Sequence, residues 1–170
     1  AAGPFSRIAG QLLSDAHDGA AVLLCTSCTG ALELAAMTLG IGPGDVVAVP
    51  SFTFPSTASA FARTGARLRF IDIDPNTLGM DADHLAEQLD HRVKAVVPVH
   101  YAGRQASIEA VCAAADRVGA QVVEDNAHGM FGAHGGKALG TFGSMSTLSF
   151  HETKNFICGE GGALVINDRS

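Results

Sequence analysis

Short apolar runs alternate with helix-like stretches along almost the whole chain. Several runs are apolar at every position and rich in β-branched residues, which is typical of strands buried on both faces of a sheet. The predicted strands cover residues 21–25, 45–49, 67–73, 94–100, 121–124, 145–150 and 163–166. The predicted helices cover residues 29–39, 55–64, 81–89 and 107–118. The pattern therefore predicts an α/β fold with a mostly parallel sheet covered by helices.

Glycine residues mark the carboxyl ends of several predicted helices. Gly40, Gly65 and Gly119 each follow a predicted helix, where a glycine commonly caps the carboxyl end. Residues 127–143 differ, because they are rich in glycine and turns and show no helical period. A long irregular stretch inside a compact domain is usually functional, so this segment is expected to serve a site.

Composition narrows the possible functions. The chain has 170 residues, 47% of them hydrophobic and 16% charged, which is typical of one globular domain. A formal charge of −6 argues against nucleic acid or an anionic membrane as the main partner. No apolar run approaches the ~20 residues of a membrane span, and no signal segment is evident, so a cytoplasmic location is expected. Because the sequence lacks an initial methionine and stops directly after a strand, we expect it to be a fragment.

Two of the cysteines, Cys25 and Cys28, have CxxC spacing between a predicted strand and a predicted helix. A thioredoxin-type redox pair lies at such a junction and requires a thiol with a lowered pKa. Reduced thiols without a redox role are the alternative. No second CxxC and no paired histidines complete a tetrahedral zinc site, so no metal site is predicted.

The most informative residue is Lys154, which follows the strand predicted at residues 145–150 and precedes the glycine-rich residues 159–162. This position puts an amine at the mouth of a sheet, with room for a bulky ligand. A partly desolvated lysine can form a Schiff base with a carbonyl compound. A solvated lysine in a surface turn is the common alternative, so the interpretation depends on the other strand ends.

Two of those strand ends can bind an anion and an aromatic ring, since ligands of open α/β sheets bind outside the carboxyl ends of the strands. Ser27 and Thr29 lie where a helix begins, which predicts either an anion site or an ordinary N-cap. Phe52 and Phe54 flank a threonine after the second strand. They are either core residues or a platform on which a ring stacks.

The fifth strand ends in a carboxylate, Asp125, and a buried carboxylate needs a cationic partner or hydrogen bonds. A salt bridge, a helix N-cap and a protonated heterocyclic nitrogen are the options. His128 follows three residues later, and Ser149 precedes Lys154 by five residues. A phosphate cradle, an aromatic platform, an acid and an amine are the parts that hold pyridoxal 5′-phosphate.

Several longer motifs carry a family resemblance. They are residues 27–33 (SCTGALE), 42–45 (GPGD), 49–54 (VPSFTF), 70–75 (FIDIDP), 97–100 (VPVH), 123–125 (VED), 149–155 (SFHETKN) and 159–162 (GEGG). On these motifs the chain resembles the DegT/DnrJ/StrS family of sugar aminotransferases. Residues 3–7 (GPFSR), 100–103 (HYAG) and 151–155 (HETKN) are similar to the dTDP-4-amino-4,6-dideoxygalactose transaminases within that family.

The resemblance implies a three-layer α/β/α sandwich, the large domain of the fold-type I enzymes that use pyridoxal phosphate. Residues 1–170 would form most of that domain, and a C-terminal small domain would lie outside this chain. The resemblance also implies that Lys154 is the catalytic residue, that it binds the cofactor aldehyde, and that it later moves a proton. The other cofactor-binding residues that it implies are Cys28, Thr29, Phe54, Asp125, His128 and Ser149.

The resemblance further implies a reaction and its partners. An amino acid, usually glutamate in this family, donates nitrogen to the cofactor, and a keto group on a nucleotide-linked sugar then accepts it. The expected setting is aminosugar or surface-polysaccharide synthesis by a homodimer, with neither nucleic acid nor a membrane as partner. Related sugar dehydratases have histidine at the position of Lys154, so lysine favours transamination. A truncated, non-catalytic fragment of such an enzyme is the alternative.

Overall fold

A computed structural model describes residues 3–104 and 107–167. Nine strands are present in this part of the chain: β1 (Ala21–Cys25), β2 (Val46–Pro50), β3 (Arg67–Ile71), β4 (Val93–Val96), β5 (Gln121–Asp125), β6 (Ala133–His134), β7 (Lys137–Ala138), β8 (Met145–Ser149) and β9 (Gly162–Ile166). The α-helices are α1 (Pro4–Asp15), α2 (Cys28–Thr38), α3 (Pro55–Ala62), α4 (Ala82–Gln88) and α5 (Ile108–Asp116).

Seven of these strands form one sheet in the order β1-β9-β8-β5-β4-β2-β3. Neighbouring strands run parallel from β8 to β3, whereas β9 is antiparallel to both β1 and β8. Helices α3, α4 and α5 form the crossovers from β2 to β3, from β3 to β4 and from β4 to β5, whereas the segment that contains β6 and β7 joins β5 to β8. The carboxyl ends of the parallel strands therefore meet at one edge of the sheet, where ligands of open α/β sheets bind.

The sheet lies between two helical layers. Strand β2 is buried along its whole length, so its alternate side chains pack into the cores on the two faces of the sheet. Val47 and Val49 join the core that contains Leu32 of α2 and Phe61 of α3. Their alternating neighbours Val46 and Ala48 join the core that contains residues of α4 and α5. The α/β prediction and its mostly parallel sheet in a three-layer sandwich are therefore confirmed.

The structure corrects several predicted boundaries. The predicted strand at residues 94–100 ends at Val96, and Pro98 explains this because proline has no N–H for the ladder. The segment predicted to be irregular at residues 127–143 contains the short antiparallel pair β6–β7. Strand β1 lies at the sheet edge and leaves Leu23 half exposed, so its apolar sequence does not reflect burial on both faces.

Helix α1 was not predicted, although its apolar side chains recur at helical spacing. Pro4 occupies the first turn, where a proline suits a helix start, yet Leu13 is the only buried side chain of this helix. Phe5, Ile8 and Leu12 remain exposed. Among the described residues, no helix is long and apolar enough to cross a membrane.

Candidate functional site

A cavity of about 450 Å³ opens at the carboxyl edge of the parallel strands. Its wall contains all seven site residues predicted from the sequence: Cys28, Thr29, Phe54, Asp125, His128, Ser149 and Lys154. They lie at or after the ends of four different strands, β1, β2, β5 and β8, so the fold brings them together. Thr53, Ser56, Tyr101, His151 and Glu160 also line this cavity.

The amino end of α2 forms one wall. Ser27 is the N-cap, and its Oγ accepts a hydrogen bond from the Gly30 N–H at 3.1 Å. The N-cap alternative for Ser27 is therefore correct, and it is compatible with anion binding because the first N–H groups of a helix have no carbonyl partner within it. At Gly162, an added Cβ would lie 2.3 Å from the carbonyl carbon of Ser27. Only glycine lets β9 approach the helix start this closely.

Lys154 lies on a fixed turn after β8. Its backbone N–H donates to the carbonyl of His151 at 2.9 Å. The next residue, Asn155, ties the turn to residues 127–143 by donating from its side-chain amide to the carbonyl of Met130 at 2.8 Å. The Lys154 side chain is partly buried, and its Nζ lies 2.9 Å from Nε2 of His128.

His128 is held on two sides. The Ala102 N–H donates to its Nδ1 at 3.2 Å, and the Tyr101 ring packs edge-on against the imidazole with centroids 5.4 Å apart. Burial lowers the pKa of His128, a cationic Lys154 would lower it further, and the charge of Asp125 opposes this shift. The neutral imidazole is therefore favoured near neutral pH.

Asp125 is buried at the end of β5, with 4% of its surface exposed. Its Oδ2 accepts a hydrogen bond from the Thr57 hydroxyl at 2.7 Å, and Thr57 in turn contacts the Thr53 hydroxyl at 2.7 Å. The Ala127 N–H donates to Oδ1 at 3.2 Å. These donors orient the carboxylate and help to offset its desolvation, leaving lone pairs for a cationic group in the cavity.

The adjacent carboxylate, Glu124, serves a different purpose on the opposite face of β5. It is fully buried, and its Oε2 lies 2.7 Å from Nε2 of His100, which is also fully buried. Backbone N–H groups of residues 140, 142 and 143 donate to the same carboxylate. Glu124 thus anchors the end of the glycine-rich segment behind the cavity.

Phe54 is exposed, whereas Ser149 is buried. Phe54 is the N-cap residue of α3 and has 69% of its surface exposed at the cavity mouth, so it is not a core residue. An exposed ring at this position is free to stack on a planar ligand. Ser149 ends β8 and is buried beside Gly162, its partner in the ladder with β9.

The cysteines do not have the properties of a redox pair. Burial raises the pKa of the Cys25 thiol, and burial followed by the charge of Asp125 raises the pKa of the Cys28 thiol strongly. Cys28 instead donates from Sγ to the Thr147 hydroxyl at 3.4 Å. Because a redox thiol requires a lowered pKa, the thioredoxin-type interpretation is wrong.

Sequence reasoning missed Thr57 and Ala102, which contact Asp125 and His128 directly. Thr53 and Thr57 are four residues apart across a helix start, which puts two hydroxyls on one face. That spacing was the available signal for Thr57. The contact from Ala102 comes from the backbone, so no side-chain pattern indicates it.

The model of the DegT/DnrJ/EryC1/StrS aminotransferase family matches residues 3–170. The chain belongs to this family. It is 44% identical over 142 residues to the spore coat polysaccharide biosynthesis protein SpsC of Bacillus subtilis (strain 168), a match that covers 84% of this chain and 36% of SpsC. The chain thus spans little more than a third of the length of that relative.

Solved structures from the family share the fold closely. A 3-amino-5-hydroxybenzoic acid synthase superposes with a TM-score of 0.94 at 35% identity, covering 99% of this chain and 44% of the synthase. The sugar aminotransferase Spr1654 of Streptococcus pneumoniae, whose assignment is itself provisional, has a TM-score of 0.94 at 27% identity. That match covers 99% of this chain and 47% of Spr1654, which has been solved with pyridoxal phosphate (PLP) and in a PMP form. Family aminotransferases use PLP as their cofactor.

Proposed function

We propose that the full-length protein transfers an amino group from an amino acid, glutamate, to a keto group on a nucleotide-linked sugar. The observation that carries this proposal is that the Lys154 amine, the Asp125 carboxylate and the start of α2 share one cavity. Membership of an aminotransferase family supports the reaction type. The 44% identity to SpsC supports a sugar substrate and a role in polysaccharide synthesis.

The residues of the cavity fit PLP. A volume of about 450 Å³ lies within the roughly 300–1,000 Å³ of small-molecule sites. The cavity offers an amine for an aldehyde, a buried acid for a ring nitrogen and a helix start for a phosphate, which match the three ends of the cofactor. When bound, PLP supplies an aldehyde that accepts the amino group and a ring that withdraws electrons.

Each predicted residue has a separate task in this proposal. Lys154 would bind the aldehyde through Nζ and, when free, would move a proton. Asp125, oriented by Thr57, would keep the ring nitrogen protonated. Phe54 would stack on the ring, and His128 would contact its oxygen.

The phosphate end of the cofactor requires donors rather than acids. We assign it to the backbone N–H of Cys28, the hydroxyl of Thr29 and the hydroxyl of Ser149, all of which line the cavity. The positive end of the α2 dipole favours an anion at this position by about 0.3–1 kcal/mol. Cys28 contributes through its backbone, because its thiol is committed to Thr147.

The proposal extends to the domain organisation and the oligomeric state of the protein. Residues 1–170 form most of a large cofactor-binding domain, and the protein acts as a homodimer in the cytoplasm. The greater length of the relatives supports a further domain, since this chain covers 36–39% of two curated relatives. A sugar pocket completed by the rest of the protein is consistent with the open mouth of the cavity.

Borohydride reduction in the presence of PLP tests the proposal directly. We expect peptide mass spectrometry of the full-length protein to find a reduced phosphopyridoxyl group on Lys154, and Lys154→Ala to abolish it. Lys154→Arg is the matched control, because it keeps a long basic side chain that cannot condense with the aldehyde. Modification elsewhere, with none at Lys154, would contradict the assignment. If Lys154 is modified but the protein accepts an amino group from no amino acid, the result would favour the non-catalytic alternative.

A further inference from the structure

The hydrogen bond between Ala102 and His128 fixes where the imidazole proton lies. The Ala102 N–H points to Nδ1 of His128 at 3.2 Å, and a backbone N–H can only donate. Nδ1 must therefore present its lone pair. A ring whose Nδ1 bears no proton is neutral, and burial favours this form because it lowers the pKa of His128. Its single proton therefore lies on Nε2.

This tautomer has a consequence for the lysine. Nε2 of His128 lies 2.9 Å from Nζ of Lys154. Because Nε2 bears the proton, it donates, and Nζ must accept. An ammonium group has three donors and no acceptor, so only the neutral amine can complete this hydrogen bond. The contact selects the form of lysine that has a free lone pair.

The turn Tyr101–Gly103 holds this arrangement in place. Ala102 has a left-handed backbone with φ 53°, which directs its N–H toward the imidazole. Tyr101 packs edge-on against the imidazole and is itself backed by the Phe52 ring, with centroids 4.8 Å apart. A Cβ at Gly103 would lie 3.1 Å from the carbonyl oxygen of His128, so the turn also packs against its backbone.

We propose that the turn Tyr101–Gly103 is a positioning element that sets the tautomer of His128, and that His128 thereby stabilises the neutral amine of Lys154, the form that attacks an aldehyde. In that attack Nζ forms a C=N bond to the aldehyde carbon, and both amine protons leave with the carbonyl oxygen as water. The aldehyde part rests on the proposed function, whereas the tautomer does not. Ala102 and Tyr101 act through His128 and touch no reacting atom.

Other titratable groups face the same pair and bear on its pH dependence. Asp125 at the end of β5, Cys28 on α2, and His151 and Glu160 on the loop between β8 and β9 line the cavity, as does Tyr101. Asp125 favours the cationic form of His128. The pKa of His128 is nevertheless lowered, because burial has a larger effect than the charge of Asp125.

Nitrogen NMR of the histidine rings reads the tautomer without any cofactor. In the full-length apoprotein with ¹⁵N-labelled histidine at pH 7.5, the signals lost in His128→Gln belong to His128. We expect a protonated Nε2 and an unprotonated Nδ1. A protonated Nδ1, or an imidazolium ring at this pH, would overturn the inference.

Two substitutions at one position test the turn. Ala102→Asn keeps the N–H in a backbone that asparagine tolerates, whereas the branched side chain in Ala102→Val disfavours a left-handed conformation. We expect the asparagine variant to keep the wild-type ring spectrum and the valine variant to gain the Nδ1–H form. A pure Nε2–H spectrum in Ala102→Val would remove the turn from the proposal.

The reactivity of the lysine is the second readout. We measure the rate at which pyridoxal, which lacks the phosphate, is trapped on Lys154 by cyanoborohydride across pH 6–9. Losing a hydrogen bond selective for the neutral amine predicts about fivefold slower trapping in His128→Gln at pH 7. Equal or faster trapping in that variant overturns the lysine half. No trapping in either protein overturns the proposed function as well, while the ring spectrum still decides the tautomer.

Discussion

Replacing Glu124 with glutamine tests how strongly this buried side chain stabilises the glycine-rich segment behind the cavity. The two carboxylate oxygens receive four hydrogen bonds, two at each oxygen. Oε1 accepts from the N–H groups of Phe142 at 2.7 Å and Gly143 at 2.6 Å. Oε2 accepts from Gly140 at 2.9 Å and is 2.7 Å from Nε2 of His100. Glutamine has one oxygen only, so its NH₂ group must face two donors.

The expected magnitude follows from burial. Glu124 and His100 are both fully buried, so water cannot replace the lost partners. The glutamine amide faces two buried donors, and each unsatisfied buried donor costs about 1–3 kcal/mol. We therefore expect Glu124→Gln to lower the free energy of unfolding by about 2–6 kcal/mol. That is a large part of the roughly 5–15 kcal/mol typical of a folded domain.

Urea unfolding followed by circular dichroism measures this loss in the full-length protein. Glu87→Gln is the matched control, because Glu87 lies exposed on α4 and the same chemical change there should stay within about 0.5 kcal/mol. A double-mutant cycle with His100→Gln isolates the pair from the three backbone contacts. A change below about 1 kcal/mol in Glu124→Gln would refute the reasoning.

Three further outcomes are expected. Thr57→Val removes the hydroxyl that donates to Asp125 and should lower the free energy of unfolding by about 1–3 kcal/mol. Thr57→Ser keeps a hydroxyl and should retain most of that stability. Equal shifts of the melting temperature in the two variants would contradict this prediction. Iodoacetamide at pH 8 should modify exposed Cys158 well before buried Cys28, whose pKa is raised, and peptide mass spectrometry in which Cys28 reacts first would disprove it. Because the folded state lowers the pKa of His128 below its usual 6.5, the unfolded chain binds more protons below that pH. Stability should therefore fall as pH drops below about 6.5, and in urea titrations His128→Gln should show a shallower fall.

The fold followed from the sequence more completely than the boundaries did. Buried strands such as β2 have an apolar pattern that directly reflects their environment, so periodicity was sufficient. The early end of β4 depends on one missing N–H at Pro98, which an apolar pattern does not register. Helix α1 has apolar residues at helical spacing, so its existence was predictable, but the pattern does not show that only Leu13 is buried.

The candidate site was predictable where it depends on side-chain identity at strand ends. Lys154, Asp125 and Ser149 follow from position alone, because parallel strands bring their carboxyl ends together. Their roles stay predictions. Contacts such as that from Ala102 to His128 depend on a local backbone angle and on packing between distant segments, and neither leaves a readable pattern in one sequence.

The approach of Gly162 to the start of α2 gives the order of synthesis a role in function. Strand β1 pairs with β9, and Gly162 packs against the backbone of Ser27 and Cys28. The ribosome releases β1 and α2 long before it makes β9, so during that interval the edge of β1 lacks this partner, and unpaired edges invite association with other chains. The close contact at the start of α2 forms only after Gly162 has been synthesised. The backbone to which we assign the cofactor phosphate therefore stays uncovered on this side until nearly all of these residues have left the ribosome.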